Sequence, residues 1–222
     1  MTRTMMISAL AATVLGSVAV LAAQAPEPQQ PMSFFVTSTV PGTGNLGGLA
    51  GADQICQNLA AAAGAGNKTW HAYLSQEQRG NTPRVNARGR IGPGPWYNAK
   101  GQLIASNVGD LHGDQQRDRN NVRKLMALTE KGEQVNGVGD MPNQHDMLTG
   151  SDSDGRAFVD GLDHTCNNWT SAADENHAML GHHDRQGGNN TSWNAAHMSA
   201  GCSAPTLVRT GGAGRFYCFA IN

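Results

Sequence analysis

Aromatic residues are few in this 222-residue chain, at 5%, and charge of neither sign dominates, with 16 Lys and Arg against 17 Asp and Glu for a formal net charge of -1. Near-neutrality excludes a whole-molecule field that would draw nucleic acid or an anionic membrane surface, so any electrostatic recognition must be local. No C-x-x-C pair occurs: the closest cysteines are Cys202 and Cys218, which removes the ligand spacing of zinc ribbons and the thiol redox motif. G-x-S-x-G, the P-loop glycine-lysine signature, G-x-G-x-x-G leading into a helix and H-E-x-x-H are all missing, and the 17 carboxylates form no distinctive acid/base pair. After the first 25 residues no stretch approaches the ~18 apolar residues that would span a bilayer. What remains is glycine-rich, with 28 Gly, and Gly, Asn, Asp and Ser interrupt almost every apolar run after residue 75.

Four cysteines, Cys56, Cys166, Cys202 and Cys218, follow an N-terminal segment with Arg3 and an apolar run from Met5 to Ala23. That segment resembles a secretory signal, residues 1–25, with cleavage expected between Ala22 and Ala25. An even cysteine count in an exported chain predicts two disulfides, of which the sequence alone permits three pairings. The expected location is therefore secreted, periplasmic or extracellular. Residues 26–32 read as a Pro-rich linker, and residues 33–222 leave about 190 residues, enough for one core.

Phe34 to Val40 is aromatic and β-branched and is ended by Pro41-Gly42, which predicts a strand. From Gly51, Ala52, Ile55, Cys56, Leu59 and Ala63 recur at helical spacing until Gly64 to Gly66 stop the pattern. Trp70 to Leu74 predicts a second strand, and Trp96 to Ala105 a hairpin. Leu125 to Thr129 with Gln134-Val135 predicts another hairpin. Met147 to Thr149, Asn168 to Ser171, Ala178 to Gly181 and Phe216 to Ala220 complete a set of short strands. One clear helix, short strands and long loops predict an α+β domain.

Gly48 to Ser75, His145 to Arg156, Cys166 with Trp169, and the closing Cys202 and Tyr217-Cys218 together resemble endostatin, the C-terminal domain of certain collagens. The chain is also similar to secreted bacterial lectin-like domains, through segments such as CNNWTS and GGAGRFYCFA. The resemblance implies a C-type-lectin-like (endostatin-like) fold with mostly antiparallel strands, and nested bridges Cys56–Cys218 and Cys166–Cys202. It further implies a non-catalytic binding module for carbohydrate or an extracellular protein, not nucleic acid. No cofactor is expected, since Met141-Pro142-Asn143 and Trp193-Asn194-Ala195 are incomplete versions of the lectin calcium motifs, each without its acidic ligand.

Three groups are candidate binding residues. Trp193 and Asn194, with Asn168 and His197, combine an indole face with amides that can grip sugar hydroxyls. Arg84, Arg88 and Arg90, with Arg79, form a local basic cluster suited to sulfate or phosphate oxygens, although a solvated loop has the same composition. His177, His182, His183 and His197, with Asp184, are the rival signal for a zinc-dependent exported enzyme, in a spacing that matches no established zinc motif. Trp169, three residues beyond a bridged cysteine, reads as core.

Overall fold

The computed structural model describes residues 1, 30–113, 119–188 and 190–222. The expected signal segment beyond Met1, and residues 26–29 of the expected linker, lie outside the described residues. The elements run β1 (Phe34–Val36), α1 (Gly48–Ala62), β2 (Trp70–Ala72), β3 (Trp96–Tyr97), β4 (Leu103–Ala105), α2 (Val108–His112), β5 (Asp146–Leu148), α3 (Cys166–Trp169), β6 (Met179–His182), β7 (His197–Met198), α4 (Ala204–Arg209), β8 (Gly212–Arg215) and β9 (Tyr217–Ala220). The architecture is α+β with mostly antiparallel pairing. Among the described residues no helix is long and apolar enough to cross a membrane.

Strand alternation divides the interior into two cores. Along β1, Phe35 points one way and Phe34 and Val36 the other; along β9, Cys218 and Ala220 oppose Tyr217 and Phe219. The first core holds Phe35, Trp70, Leu148, Trp169 and Leu180 against α1, and the second holds Tyr73, Trp96, Met147, Trp193 and Tyr217. All four tryptophans are buried. The few aromatics of the chain are thus spent almost entirely on packing, which lets short strands and long loops enclose a dense interior.

In α1, Ala52, Cys56 and Ala60 recur every four residues and face the first core. The helix begins three residues earlier than its periodicity predicts, at Gly48. Gly51 is required there, because a Cβ would stand 2.1 Å from the Leu46 carbonyl oxygen. The helix is tied to β2 by Asp53, whose Oδ1 accepts from the Ala72 N–H at 2.8 Å.

Three sheets result, ordered β1-β9-β2, β3-β4 and β7-β6-β5-β8. Cys56 of α1 bridges to Cys218 of β9, and Cys166 bridges to Cys202, so the two disulfides are nested, with sequence separations of 162 and 36. The β3-β4 hairpin forms where the sequence predicts it, whereas the second expected hairpin reduces to an isolated bridge between Leu128 and Gln134. Asn168 to Ser171 is not a strand. Cys166, Asn167, Asn168 and Trp169 all take positive φ, from 47° to 64°, a left-handed turn that L-residues resist. Asp163 accepts from the Asn167 N–H, Thr165 from the Asn168 N–H, and Ser75 from the Trp169 Nε1–H, while the disulfide pins the first residue.

Strands β7 and β8 and helices α2 and α4 go beyond the single helix and the strands read from the sequence. Helix α4 has six residues, too few for a periodic signal, but carries a Ser203 cap whose hydroxyl accepts from the Thr206 N–H. Strand β8 is Gly-Ala-Gly-Arg, without a β-branched or aromatic residue, and forms because it lies beside β5 in the sheet's one parallel pairing.

Candidate metal centre

Register in the four-stranded sheet assembles the site. Asp146 stands directly opposite His182, Leu148 opposite Leu180, and Leu180 opposite His197. Directly opposed residues share a face, as do residues two apart along one strand, so Asp146, His182 and His197 extend the row begun by Leu148 and Leu180. The two leucines point into the first core, and the polar trio continues that row to the surface. His145 enters from the residue before β5. Glycines of the neighbouring strand leave the room: a Cβ on Gly212 would stand 3.1 Å from the Asp146 Cβ, and one on Gly211, at φ 102°, 3.1 Å from the His145 ring.

The Asp146 Oδ1 lies 3.2 Å from His145 Nε2, 3.3 Å from His182 Nε2 and 3.5 Å from His197 Nε2. None of these approaches has hydrogen-bond geometry, and among the described residues neither Asp146 oxygen nor either His182 nitrogen has a hydrogen-bond partner. Such orphaned groups are costly, because Asp146 and His182 side chains are only 1% and 3% exposed. His145 is 8% exposed and stacks on His182 at 4.2 Å between ring centroids, while His197 meets His182 edge-on and is 42% exposed.

The spacing is that of ligands around a small ion. A tetrahedral zinc with bonds of about 2.0–2.1 Å separates its ligand atoms by about 3.3–3.4 Å, a value that the three nitrogen-oxygen distances of 3.2, 3.3 and 3.5 Å bracket. The ligand atoms of His145, Asp146 and His182 all lie within 4.8 Å of one another. Tautomers agree. His145 Nδ1 contacts Asp184 Oδ1 at 3.4 Å, and His197 Nδ1 the Met198 carbonyl at 3.0 Å. Both partners only accept, so each Nδ1 carries the hydrogen, and it is Nε2 that turns a lone pair to the centre when the ring is deprotonated.

Asp184 supports the cluster from outside. Its Oδ2 accepts from the Val138 N–H at 2.8 Å and its Oδ1 from the Gln186 N–H at 3.1 Å. Burial alone would raise its pKa, but His145 and these two amides outweigh it and hold the carboxyl well below the usual carboxylate range. Asp146 is likewise lowered: burial is overcome by the close His182 and His197 rings and by the charges of His197 and His145. His145 is raised, burial being outweighed by Asp184 and Asp146, and His197 is raised chiefly by Asp146. Negative charge therefore persists at the point where the imidazoles converge.

Of the histidine set expected from the sequence, His182 and His197 join the cluster, Asp184 stands one shell out, and His183 and His177 point elsewhere. His183 is buried with Nε2 against the Asn136 carbonyl, and His177 Nδ1 meets the Ser199 carbonyl. His145 and Asp146 were missed as ligands; their signal was an adjacent His-Asp pair opening a strand.

Of the expected sugar-binding residues Trp193, Asn194 and Asn168 are buried, and His197 is exposed. Trp193 and Asn194 are each 1% exposed, and Trp193 packs against Tyr73 and Tyr217, so its indole offers no free face. Asn194 donates to the Tyr73 hydroxyl and to the Asp152 and Ser153 carbonyls. Asn168 is buried and exchanges hydrogen bonds with the Glu77 backbone. The arginine cluster is dispersed: Arg90 pairs with Asp53 at 2.6 Å, Arg79 with Glu77 and Asp163 at 2.8 Å, and Arg88 donates to the Asp154 carbonyl, leaving Arg84 exposed. A polar pocket lined by His112, Arg185, Ser192 and Asn194 includes none of the four clustered residues.

No protein-family model matches this chain, and no curated protein matches its sequence.

Proposed function

We propose that the chain is an exported C-type-lectin-like domain that binds a transition-metal ion through His145, Asp146, His182 and His197. The observation that carries the reading is the convergence of three imidazole Nε2 atoms on one buried carboxylate oxygen at 3.2–3.5 Å without hydrogen bonds among them. His145, Asp146 and His182 form the mutually close set, and His197 reaches it only at the Asp146 oxygen, 3.5 Å away; imidazoles and a carboxylate, with no thiolate or thioether, suit zinc. Asp184, holding the outer nitrogen of His145, is the kind of carboxylate that commonly fixes a zinc-bound histidine. The lectin-like fold is supported by the nested bridges and by the pairing of β1 with β9. Export is supported by two disulfides that leave no free cysteine among the described residues.

The test is metal titration of the oxidised, chelator-treated chain followed by elemental analysis. One zinc per chain, with a raised unfolding temperature, is the expected result. A substoichiometric content that is the same in a His145→Ala, His182→Ala double variant would show the reading to be wrong.

A further inference from the structure

Resting on that metal reading, we propose that His197 is an exchangeable ligand, which leaves the ion to give a surface coordination position to an external Lewis base, while His145, Asp146 and His182 form the fixed side of the centre. Exchange breaks the bond from His197 Nε2 and forms one from the lone pair of the incoming donor, an azide-like anion, a carboxylate or an imidazole. No electrons are transferred.

The four residues are held very unequally. Asp146 opens β5 and His182 closes β6, the two inner strands of the sheet, and they are 1% and 3% exposed; His145 is 8% exposed, stacked on His182 at 4.2 Å and anchored from behind by Asp184. His197 lies on β7, a two-residue strand at the edge of the sheet, and is 42% exposed. Its Nδ1 is held by the carbonyl of the next residue, Met198, rather than by a group on another element. The backbone on either side is fixed, with the Ala196 N–H bonded to the Leu180 carbonyl and the Ser199 N–H to the Ala178 carbonyl. A side-chain rotation therefore moves His197 away without disturbing the sheet. Its 3.5 Å approach to Asp146 is also the longest of the three. Three buried protein ligands with a fourth position toward solvent is the arrangement in which zinc accepts an outside ligand.

Cobalt(II) in place of zinc makes the coordination visible. In the full oxidised chain, azide should change the absorption spectrum of the bound cobalt. His197→Ala, at an exposed position, should fold normally and weaken cobalt binding by about a hundredfold, one ligand's share of a four-ligand site. Added imidazole should return its spectrum toward wild type. His182→Ala, checked for cooperative unfolding and native disulfides, should take up no cobalt. A His197→Ala variant with unchanged affinity and spectrum, one as empty as His182→Ala, or a wild-type spectrum indifferent to azide would each overturn the exchange. Failure of the wild-type chain itself to bind cobalt or zinc would overturn the metal centre and the exchange together.

Discussion

Asp146 and His182 face each other across β5 and β6, with the carboxylate Oδ1 3.3 Å from Nε2 and no hydrogen bond completing either group. Cross-strand neighbours on one face ordinarily supply packing or paired charge. Here the same sheet face runs from Leu148 and Leu180 into a polar cluster, so the scaffold that seals the first core also fixes the ligands.

Asp184 makes no approach to the centre but sets the His145 ring. Asp184→Asn keeps the side-chain shape but leaves one oxygen where the Val138 and Gln186 amides use two, and it loses the charge facing Nδ1. Zinc affinity should fall by about 10–100-fold, and the metal-free fold should lose about 1–3 kcal/mol through the amide left without its acceptor. Competition titration against a chromophoric chelator measures the first, and urea unfolding the second.

Trp193→Ala should destabilise the fold by about 3–5 kcal/mol, because it removes a buried indole wedged among Tyr73, His112 and Tyr217. Chemical denaturation under oxidising conditions checks this. An unchanged midpoint would contradict the burial of Trp193.

His112 is buried, with Nε2 against the Tyr73 hydroxyl and Nδ1 against the Val108 carbonyl. Burial pushes its pKa from 6.5 down to about 4, the Val108 carbonyl and Asp154 opposing and the Arg88 charge assisting. The folded-state pKa lies below the unfolded one, so the contribution is intact above pH 6.5 and is lost as pH falls toward 4, by about 3 kcal/mol in all. His112→Asn should be less stable than wild type at neutral pH, and the gap should close by about that amount on acidification. Parallel urea titrations across this range give the comparison, and a gap independent of pH would contradict the lowered pKa.

Replacing Cys166 and Cys202 together by Ser frees a segment closed over 36 residues, for a loss of about 4 kcal/mol on loop entropy. It also releases one end of the left-handed run from Cys166 to Trp169. Faster amide hydrogen exchange should concentrate at 166–170. Uniform acceleration across the chain would show that the bridge acts on global stability alone.

The legible parts of the fold are those specified by local pattern. Ala52, Cys56 and Ala60 mark α1 by spacing, and Phe34 to Val36 and Trp70 to Ala72 mark strands by residue type. Residue type predicts a strand over Asn168 to Ser171, but tertiary anchors, including Asp163 and Ser75, impose positive φ from Cys166 to Trp169. By residue type Trp193 is a candidate sugar-binding indole, yet Gly181 lets it be buried: a Cβ there would stand 1.9 Å from the Trp193 carbonyl oxygen. The His-Asp cluster is half legible. His182 and His197 stood out as histidines close in sequence, but Asp146 joins them through strand register, which composition does not encode.

The placement of β9 between β1 and β2 means that these two strands have no shared partner until Tyr217–Ala220 arrive. An emerging chain must hold Phe35 and Trp70 without their sheet, and Cys56 without its bridging thiol, until the 162 residues that separate the two cysteines have been made. Maturation is thus a late, concerted closure rather than growth from the N-terminus, and removing Tyr217–Ala220 would leave both ends of the domain unassembled.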